Sequence, residues 1–296
     1  MGTSGSNRGS RRGLVPTWVS DPAPAAPKPA PPQAPAGGSS SPGGPSNPQT
    51  PSGPPAPIPP ATKLPPLPSG SAGASLGSAR GDFTRAARTK GGSSRHLKRA
   101  SGKYVRAVGG ARNAARIMAP SRGVASEIGR VAADALQRGP AEALRRFNLE
   151  SMAGTPAAEV FETLADIICP AGGTIDEAIA REAMLAAAAE LAASGVTFDA
   201  LSAEALEAVF LGTIARSIED KLFNELGSKA VRLPDDTAAV DRIERQLHDF
   251  VTGAVRDAFA GADGGIATLD IATVDATVAE IYERTFEVLQ VLGDNA

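Results

Sequence analysis

Apolar residues recur at helical spacing throughout residues 117–296. Between residues 202 and 227, for example, Leu, Val, Ile and Phe fall three or four positions apart, as they do along one face of an α-helix. No segment alternates between apolar and polar residues over a useful length, so nothing predicts a β-strand. The pattern predicts an all-α fold, a helical bundle of about six to eight helices.

Capping residues and prolines set the expected ends of these helices. Ser121 follows Pro120 and is expected to cap a helix there, while Ser202 is expected to cap the long helix that follows it. Thr174 with Glu177 three residues later matches a capping box. The expected helices are Ala111–Ala119, Ser121–Gln137, Ala141–Phe147, the segments 155–169, 174–193, 202–227 and 234–260, and a last helix that contains Val274 to Leu289.

The N-terminal part of the chain has a different composition. Twenty of the 25 prolines lie between Pro16 and Pro68, among Gly, Ser and Ala. Such a segment buries too little apolar surface to offset its backbone entropy, so we predict a long disordered Pro/Gly/Ser-rich region before the bundle. The predicted organisation is an N-terminal recognition tail (1–20), a tether (21–79), a basic arm (80–116) and an acidic α-helical domain (117–296).

Charge divides the chain at a similar place. Residues 1–116 contain 16 Lys and Arg but only 2 Asp and Glu, whereas residues 117–296 contain 14 Lys and Arg and 30 Asp and Glu. The basic arm is the densest positive segment, and such a segment can contact nucleic acid, another anion or an acidic protein surface. The candidate contact residues are Arg95, Lys98, Arg99, Lys103, Arg106, Arg112 and Arg116.

The sequence contains no pattern typical of a catalytic or metal site. His96 and His248 have no ligand-type neighbours at metal-binding spacing, and the single cysteine, Cys169, is expected to be a small buried apolar residue. The carboxylates Glu219 and Asp220 are expected to face solvent. We therefore predict that the protein is not an enzyme and holds no cofactor or metal. Without a signal peptide or a membrane span, it is expected to be cytoplasmic, with no membrane partner.

The tail carries a candidate recognition site. The segment from Leu14 and Val15 to Trp18 is an isolated apolar patch. In a disordered region, such a patch more often binds a partner than packs into a core of its own chain. Removal of Met1 would expose the α-amine of Gly2, whose pKa of about 7.7–8.0 leaves a nucleophilic fraction at neutral pH. The same start matches an N-myristoylation pattern, but the composition is typical of bacteria, which disfavours that modification.

Several of these features together resemble the QatB family. They are the start Met1-Gly2-Thr3-Ser4, the Leu14–Trp18 segment followed by Asp21, the Pro-rich tether, the basic stretch from Ser101 to Arg116, and the helical pair from Thr155 to Glu190. The resemblance implies a low-complexity N-terminal half and a helical domain without a recognised catalytic motif. It also implies a role in the Qat anti-phage defence system of bacteria.

The resemblance further implies partners. QatB proteins are encoded beside an ATPase, a QueC-like protein of the QatC type and a TatD-like nuclease, and QueC enzymes make 7-cyano-7-deazaguanine with ATP. Our hypothesis is that the helical domain docks the QueC-like protein and that the tail enters its active site. Gly2 would then be the acceptor for a deazaguanine, Thr3 and Ser4 would fit a narrow tunnel, and Leu14, Val15 and Trp18 would anchor the tail.

Other functions stay open at this point. The main alternative is a nucleic-acid-binding protein that uses the basic arm, although Phe83 and Tyr104 provide few aromatic rings for base stacking. A structural protein of a phage or a secretion apparatus is a third possibility. An enzyme is the least favoured, because no converging set of polar residues is evident.

Overall fold

Helices account for the regular structure of the described residues. The computed structural model describes residues 75–89, 93–170, 173–192, 194–227, 237–260 and 265–296. Across these ranges there are ten α-helices and no strand, which confirms the all-α class. The helices are α1 (Leu76–Arg88), α2 (Ser94–Ala107), α3 (Ala111–Ile117), α4 (Ala119–Gln137), α5 (Pro140–Arg145), α6 (Ala157–Ile168), α7 (Ile175–Ala192), α8 (Ala203–Gly227), α9 (Thr237–Ala260) and α10 (Val274–Asp294).

The long helix α8 is central to the core. It packs against α4, α7 and α9, and its predicted apolar stripe is buried along its whole length. The ring of Phe210 on α8 meets that of Phe259 on α9 edge-on, with the centroids 5.9 Å apart. Ser217 of α8 and Tyr282 of α10 share a buried hydrogen bond of 2.7 Å, so the phenol that this core encloses has a polar partner.

The basic arm belongs to this same core. Helices α1 and α2 pack on each other and α2 packs along α10, with Phe83, Leu97, Tyr104 and Val105 buried. The helical unit therefore includes α1 and α2, which precede the residues 117–296 that the charge pattern indicated. Seven of the helices in the described ranges lie within 117–296 and three begin before it. The apolar stripe of α1 and α2 is interleaved with Lys and Arg, so charge alone does not show that these helices pack with the helices after them.

The predicted caps are correct at two helices and wrong at a third. Thr174 and Glu177 form the reciprocal capping box, because the Thr174 amide donates to the Glu177 carboxylate (2.6 Å) and the Glu177 amide donates to the Thr174 hydroxyl (3.3 Å). The Ser202 hydroxyl accepts from the Ala205 amide at 3.2 Å. Ser121, however, is buried inside α4, which begins at Ala119 with Pro120 in its first turn. A proline fits there because first-turn amides have no helical acceptor.

Two glycines allow the backbones of α2 and α10 to touch. A Cβ atom on Gly102 would lie 2.9 Å from the Cα of Gly293, and a Cβ on Gly293 would lie 2.7 Å from the Cα of Gly102. Neither position has room for a side chain. This close approach lets α2 seat its buried residues against α10.

Candidate functional site: a basic arm and an acidic groove

Three of the seven predicted contact cations pair with carboxylates of this same chain. The three pairs are Lys103 with Asp82, Arg106 Nη1 with Asp294 Oδ1 at 2.5 Å, and Arg112 Nε with Glu283 Oε1 at 3.1 Å. Two of these pairs link the basic arm to α10 and one links α2 to α1. The arm's positive charge therefore takes part in holding its own helices to the unit.

Asp82 is the centre of the most buried of these pairings. Its carboxylate is fully buried and accepts hydrogen bonds from Lys103 and, at 2.9 Å, from Arg85. Burial alone would raise the pKa of Asp82, but the hydrogen bonds from the two cations outweigh it and hold the pKa below its ordinary value. The carboxylate is therefore charged at neutral pH and joins α1 to α2.

The other four predicted cations are Arg95, Lys98, Arg99 and Arg116, and all of them except Lys98 are exposed. Arg95 and Arg99 are exposed on α2. The ammonium group of Lys98 lies 5.7 Å from the centroid of the Phe250 ring, a cation–π contact with α9. Arg116 is exposed and donates to the side-chain oxygen of Asn113, one turn earlier on α3. Arg112, although paired with Glu283, is exposed as well, with 88% of its side chain accessible.

A groove runs along α8, between α7 and α9. Its floor follows one stripe of α8 from Glu204 through Leu211 and Gly212 to Phe223, at the three- and four-residue spacing of a single helix face. Glu182, Ala186 and Glu190 of α7 line one wall, and Glu244, His248, Thr252 and Arg256 of α9 line the other. The lining residues are four positions apart on both walls, so each wall is one face of its helix. Two cavities of about 280 and 230 Å³ share Arg216 and lie along this groove.

Carboxylates crowd the end of the groove near Phe223. Burial raises the pKa of Asp220 to about 6, and the neighbouring carboxylates Glu219 and Glu182 act in the same direction. Burial also raises the pKa of Glu219, against a hydrogen bond from His248 that lowers it. The expectation that Glu219 and Asp220 simply face solvent was wrong, because α7 and α9 flank both residues and remove much of their water.

Two basic side chains partly offset these carboxylates. Arg216 donates to Glu190 Oε1 at 2.6 Å, and His248 Nδ1 lies 3.0 Å from Glu219 Oε2. The groove is not evident in the sequence because its residues are spread from 182 to 256. The available signal was the pair of acids at positions 182 and 190 of α7, together with the polar residues at positions 244, 248 and 252 of α9.

The described residues offer little other chemistry. Among them, no group of three or more His, Cys, Asp or Glu side chains is placed to hold a metal ion. Cys169 is buried, and burial raises the pKa of its thiol, so the thiolate that would act as a nucleophile is disfavoured. No helix in the described part of the chain has the length and apolar character to cross a bilayer.

The predicted tail residues lie outside the described ranges. These are Gly2, Thr3, Ser4, Leu14, Val15 and Trp18, together with most of the tether. The geometry above therefore concerns the basic arm and the helices after it.

The ten helices of the described residues, with the groove along α8, define an all-α protein. The family described as "Qat anti-phage system associated protein QatB" matches residues 109–289, from the turn after α2 to the last turns of α10. The chain belongs to the QatB family, and it is thus a component of the Qat anti-phage system. No curated protein and no solved structure shows a significant match to it.

Proposed function

We propose that the chain is a non-catalytic scaffold subunit that acts in the cytoplasm and whose main partner is the QueC-like protein of the system. The helical unit docks this partner, and the tail is the partner's substrate. One observation supports the scaffold most directly: the basic arm is built into the unit, with Lys103, Arg106 and Arg112 paired to carboxylates. Lys103, whose pair with Asp82 is the most buried of the three, is poorly placed to bind a phosphate as well.

The sequence supports the tail as the modified element. Gly2 provides the α-amine that would be joined to a deazaguanine, while Thr3 and Ser4 are narrow enough for a tunnel. Trp18, with its apolar neighbours, anchors the tail on the partner. A tether fixed to a docked unit raises the effective concentration of the tail at the partner's active site.

Phage protection by the complete system tests the role of Gly2. Gly2→Glu adds bulk and charge at the acceptor and is expected to abolish protection. Gly37→Glu makes the same change within the tether and is the matched control, expected to leave protection intact. Equal protection by both variants would contradict the role of the tail.

Co-purification tests docking separately from modification. The full-length chain carrying Gly2→Glu should still co-purify with a tagged QueC-like protein, because the helical unit is unchanged. Loss of co-purification in this variant would instead place the docking contact in the tail. The same experiment, with the Qat ATPase and the TatD-like nuclease as bait, shows whether the scaffold also binds these two proteins.

The exposed cations of α2 favour nucleic-acid binding as a second candidate. Arg95 and Arg99 lie one turn apart on one face, with Lys98 beside them. If they contact phosphates, the affinity for DNA or RNA falls steeply with salt, and Arg95→Glu with Arg99→Glu lowers the slope of log K against log [salt] by about 2. A salt slope that the double variant leaves unchanged would contradict this candidate.

A further inference from the structure

We propose that a cavity at the corner of α4, α6 and α7 binds a short segment of a protein partner in which one large apolar side chain is flanked by lysine or arginine. The proposal rests on the docking part of the proposed function and deepens it, since it names a surface for docking and the chemistry that this surface accepts. Three features of the corner support it: two exposed isoleucines, a cavity with an apolar floor, and an excess of carboxylates at the rim.

Two isoleucines are exposed where α6 ends and α7 begins. Ile167, next to last in α6, is 47% exposed, and Ile175, the first residue of α7, is 70% exposed. Four large apolar side chains are exposed among the described residues, and the other two lie next to each other near the end of α10. An isoleucine left in water forgoes the favourable free energy of its burial. Two of them at one corner, beside a cavity, therefore favour a surface that a partner covers.

The cavity at this corner has a volume of about 390 Å³ and an apolar floor. Val124 and Cys169 are buried and form the floor, while Pro120 and Ile168 are half-buried at its sides. Ile168 directly follows the exposed Ile167 in the chain, so the cavity and the exposed apolar surface meet. Cavities of this kind accept one anchoring side chain, as pockets at the centre of protein interfaces do.

Carboxylates outnumber cations at the rim of the cavity. Glu127, Glu177 and Asp275 line it, and Arg130 is the one cation among its lining residues in the described part of the chain. Arg130 pairs with Glu127 at 2.6 Å and also with Asp275, so its charge is already offset. Lysine or arginine beside the anchoring side chain complements the exposed carboxylates of Glu177 and Asp275, which a neutral small ligand would leave unused.

Gly123 offers a way to fill the cavity without disturbing the fold. It lines the cavity from α4, and a Cβ atom added there would have no neighbouring atom within 4 Å. Gly123→Leu therefore places a bulky side chain at the cavity without a clash at its base. Gly253 on α9 is also exposed, has the same free space around an added Cβ and does not line this cavity, so Gly253→Leu is the matched control. Thermal melts followed by circular dichroism show that both variants are folded.

Fluorescence anisotropy with the purified full-length chain measures the binding of three labelled peptides of equal length. The first peptide has one tryptophan among lysine and glycine residues. The second has alanine in place of the tryptophan and keeps the charge, and the third keeps the tryptophan but has glutamate in place of lysine. The second peptide tests the apolar anchor and the third tests the charge of its flanks.

The unchanged chain should bind the first peptide about tenfold more tightly than either of the others. Gly123→Leu should raise the dissociation constant of the first peptide about tenfold or more, and Gly253→Leu less than about twofold. Absence of binding, an affinity that the alanine or the glutamate peptide leaves unchanged, or equal dissociation constants in the two variants would overturn the proposal. Because no other Qat protein takes part in these titrations, their failure is distinct from a failure of co-purification.

Discussion

The ammonium group of Lys103 on α2 donates a hydrogen bond to the buried carboxylate of Asp82 on α1. The chain's densest positive segment thus meets one of its two N-terminal acids inside the fold, not at its surface. The pair joins α1 to α2, and α2 in turn packs along the C-terminal helix α10. The basic arm is therefore part of what stabilises the unit.

Removing Lys103, the half-buried partner of Asp82, should destabilise the fold far more than removing its exposed partner Arg85. Lys103→Met leaves the carboxylate buried with weaker compensation, at a cost of about 3 kcal/mol in the free energy of unfolding. Arg85, whose side chain is 67% exposed, bonds to the same carboxylate, and Arg85→Met should cost less than about 1 kcal/mol. Urea unfolding followed by circular dichroism compares the two. An equal loss in the free energy of unfolding for both variants would show that the ion pair of Lys103 contributes no more to stability than that of Arg85.

The extent of the helical unit is testable by truncation. A fragment that begins at residue 75 retains α1 to α3 and should unfold in one cooperative transition. A fragment that begins at residue 117 lacks the helices that cover α10 and should aggregate or lose cooperativity. If the shorter fragment were as stable and as monomeric as the longer one, the basic arm would be an appendage after all.

The groove should make stability depend on pH through Asp220. Folding raises the pKa of Asp220 to about 6 from an ordinary 3.8, so the folded chain holds this proton more tightly than the unfolded chain. Stability from the protonated form is complete below the ordinary pKa and is lost as pH rises through about 6. Asp220→Asn should therefore stabilise the protein at about pH 8, and the gain should shrink towards about pH 4.

A substitution outside the groove provides the comparison for Asp220. Asp257 is exposed on α9, and Asp257→Asn should change the free energy of unfolding little at any pH between about 4 and 8. Thermal melts of both variants across this range give the two profiles. A gain in Asp220→Asn that is the same at every pH would mean that removal of a buried negative charge is not its cause.

Alanine should have opposite effects on stability at two glycines, one inside the contact between α2 and α10 and one outside it. Gly102→Ala places a methyl group 2.9 Å from the backbone of Gly293 and should cost about 1–3 kcal/mol or more. Gly123 lies inside α4, and a methyl group added there would have no neighbouring atom within 4 Å. Gly123→Ala should therefore stabilise by up to about 1 kcal/mol through helix propensity. Chemical unfolding of both variants checks the sign, and a destabilising Gly123→Ala would contradict it.

Local signals predicted most of the helices after residue 117. The stripe on α8 and the Thr174–Glu177 capping box depend on residues close together in the chain, and such patterns are evident in the sequence itself. Ser121 was wrongly predicted as a cap. A Pro-Ser pair is compatible both with a helix that begins after the proline and with one that has the proline in its first turn. Tertiary packing, which buries Ser121, decides between the two.

The candidate site was far less predictable. Lys103 and Arg106 are indistinguishable in sequence from solvent-facing cations, because their partners lie 21 residues before the first and 188 residues after the second. The groove likewise requires three helices to come together, and no local pattern records which faces they turn to one another. For the tail the situation is reversed. Its apolar segment is evident in the sequence, but its residues lie outside the described ranges.

The intact mass of the chain, produced untagged together with its QueC-like neighbour, tests the central claim most directly. We expect loss of Met1 and an added mass that maps to the peptide beginning at Gly2 and that is absent when the QueC-like protein is omitted. A chain without Met1 and without any added mass, under conditions in which the system protects against phage, would contradict the proposal that the tail is the partner's substrate.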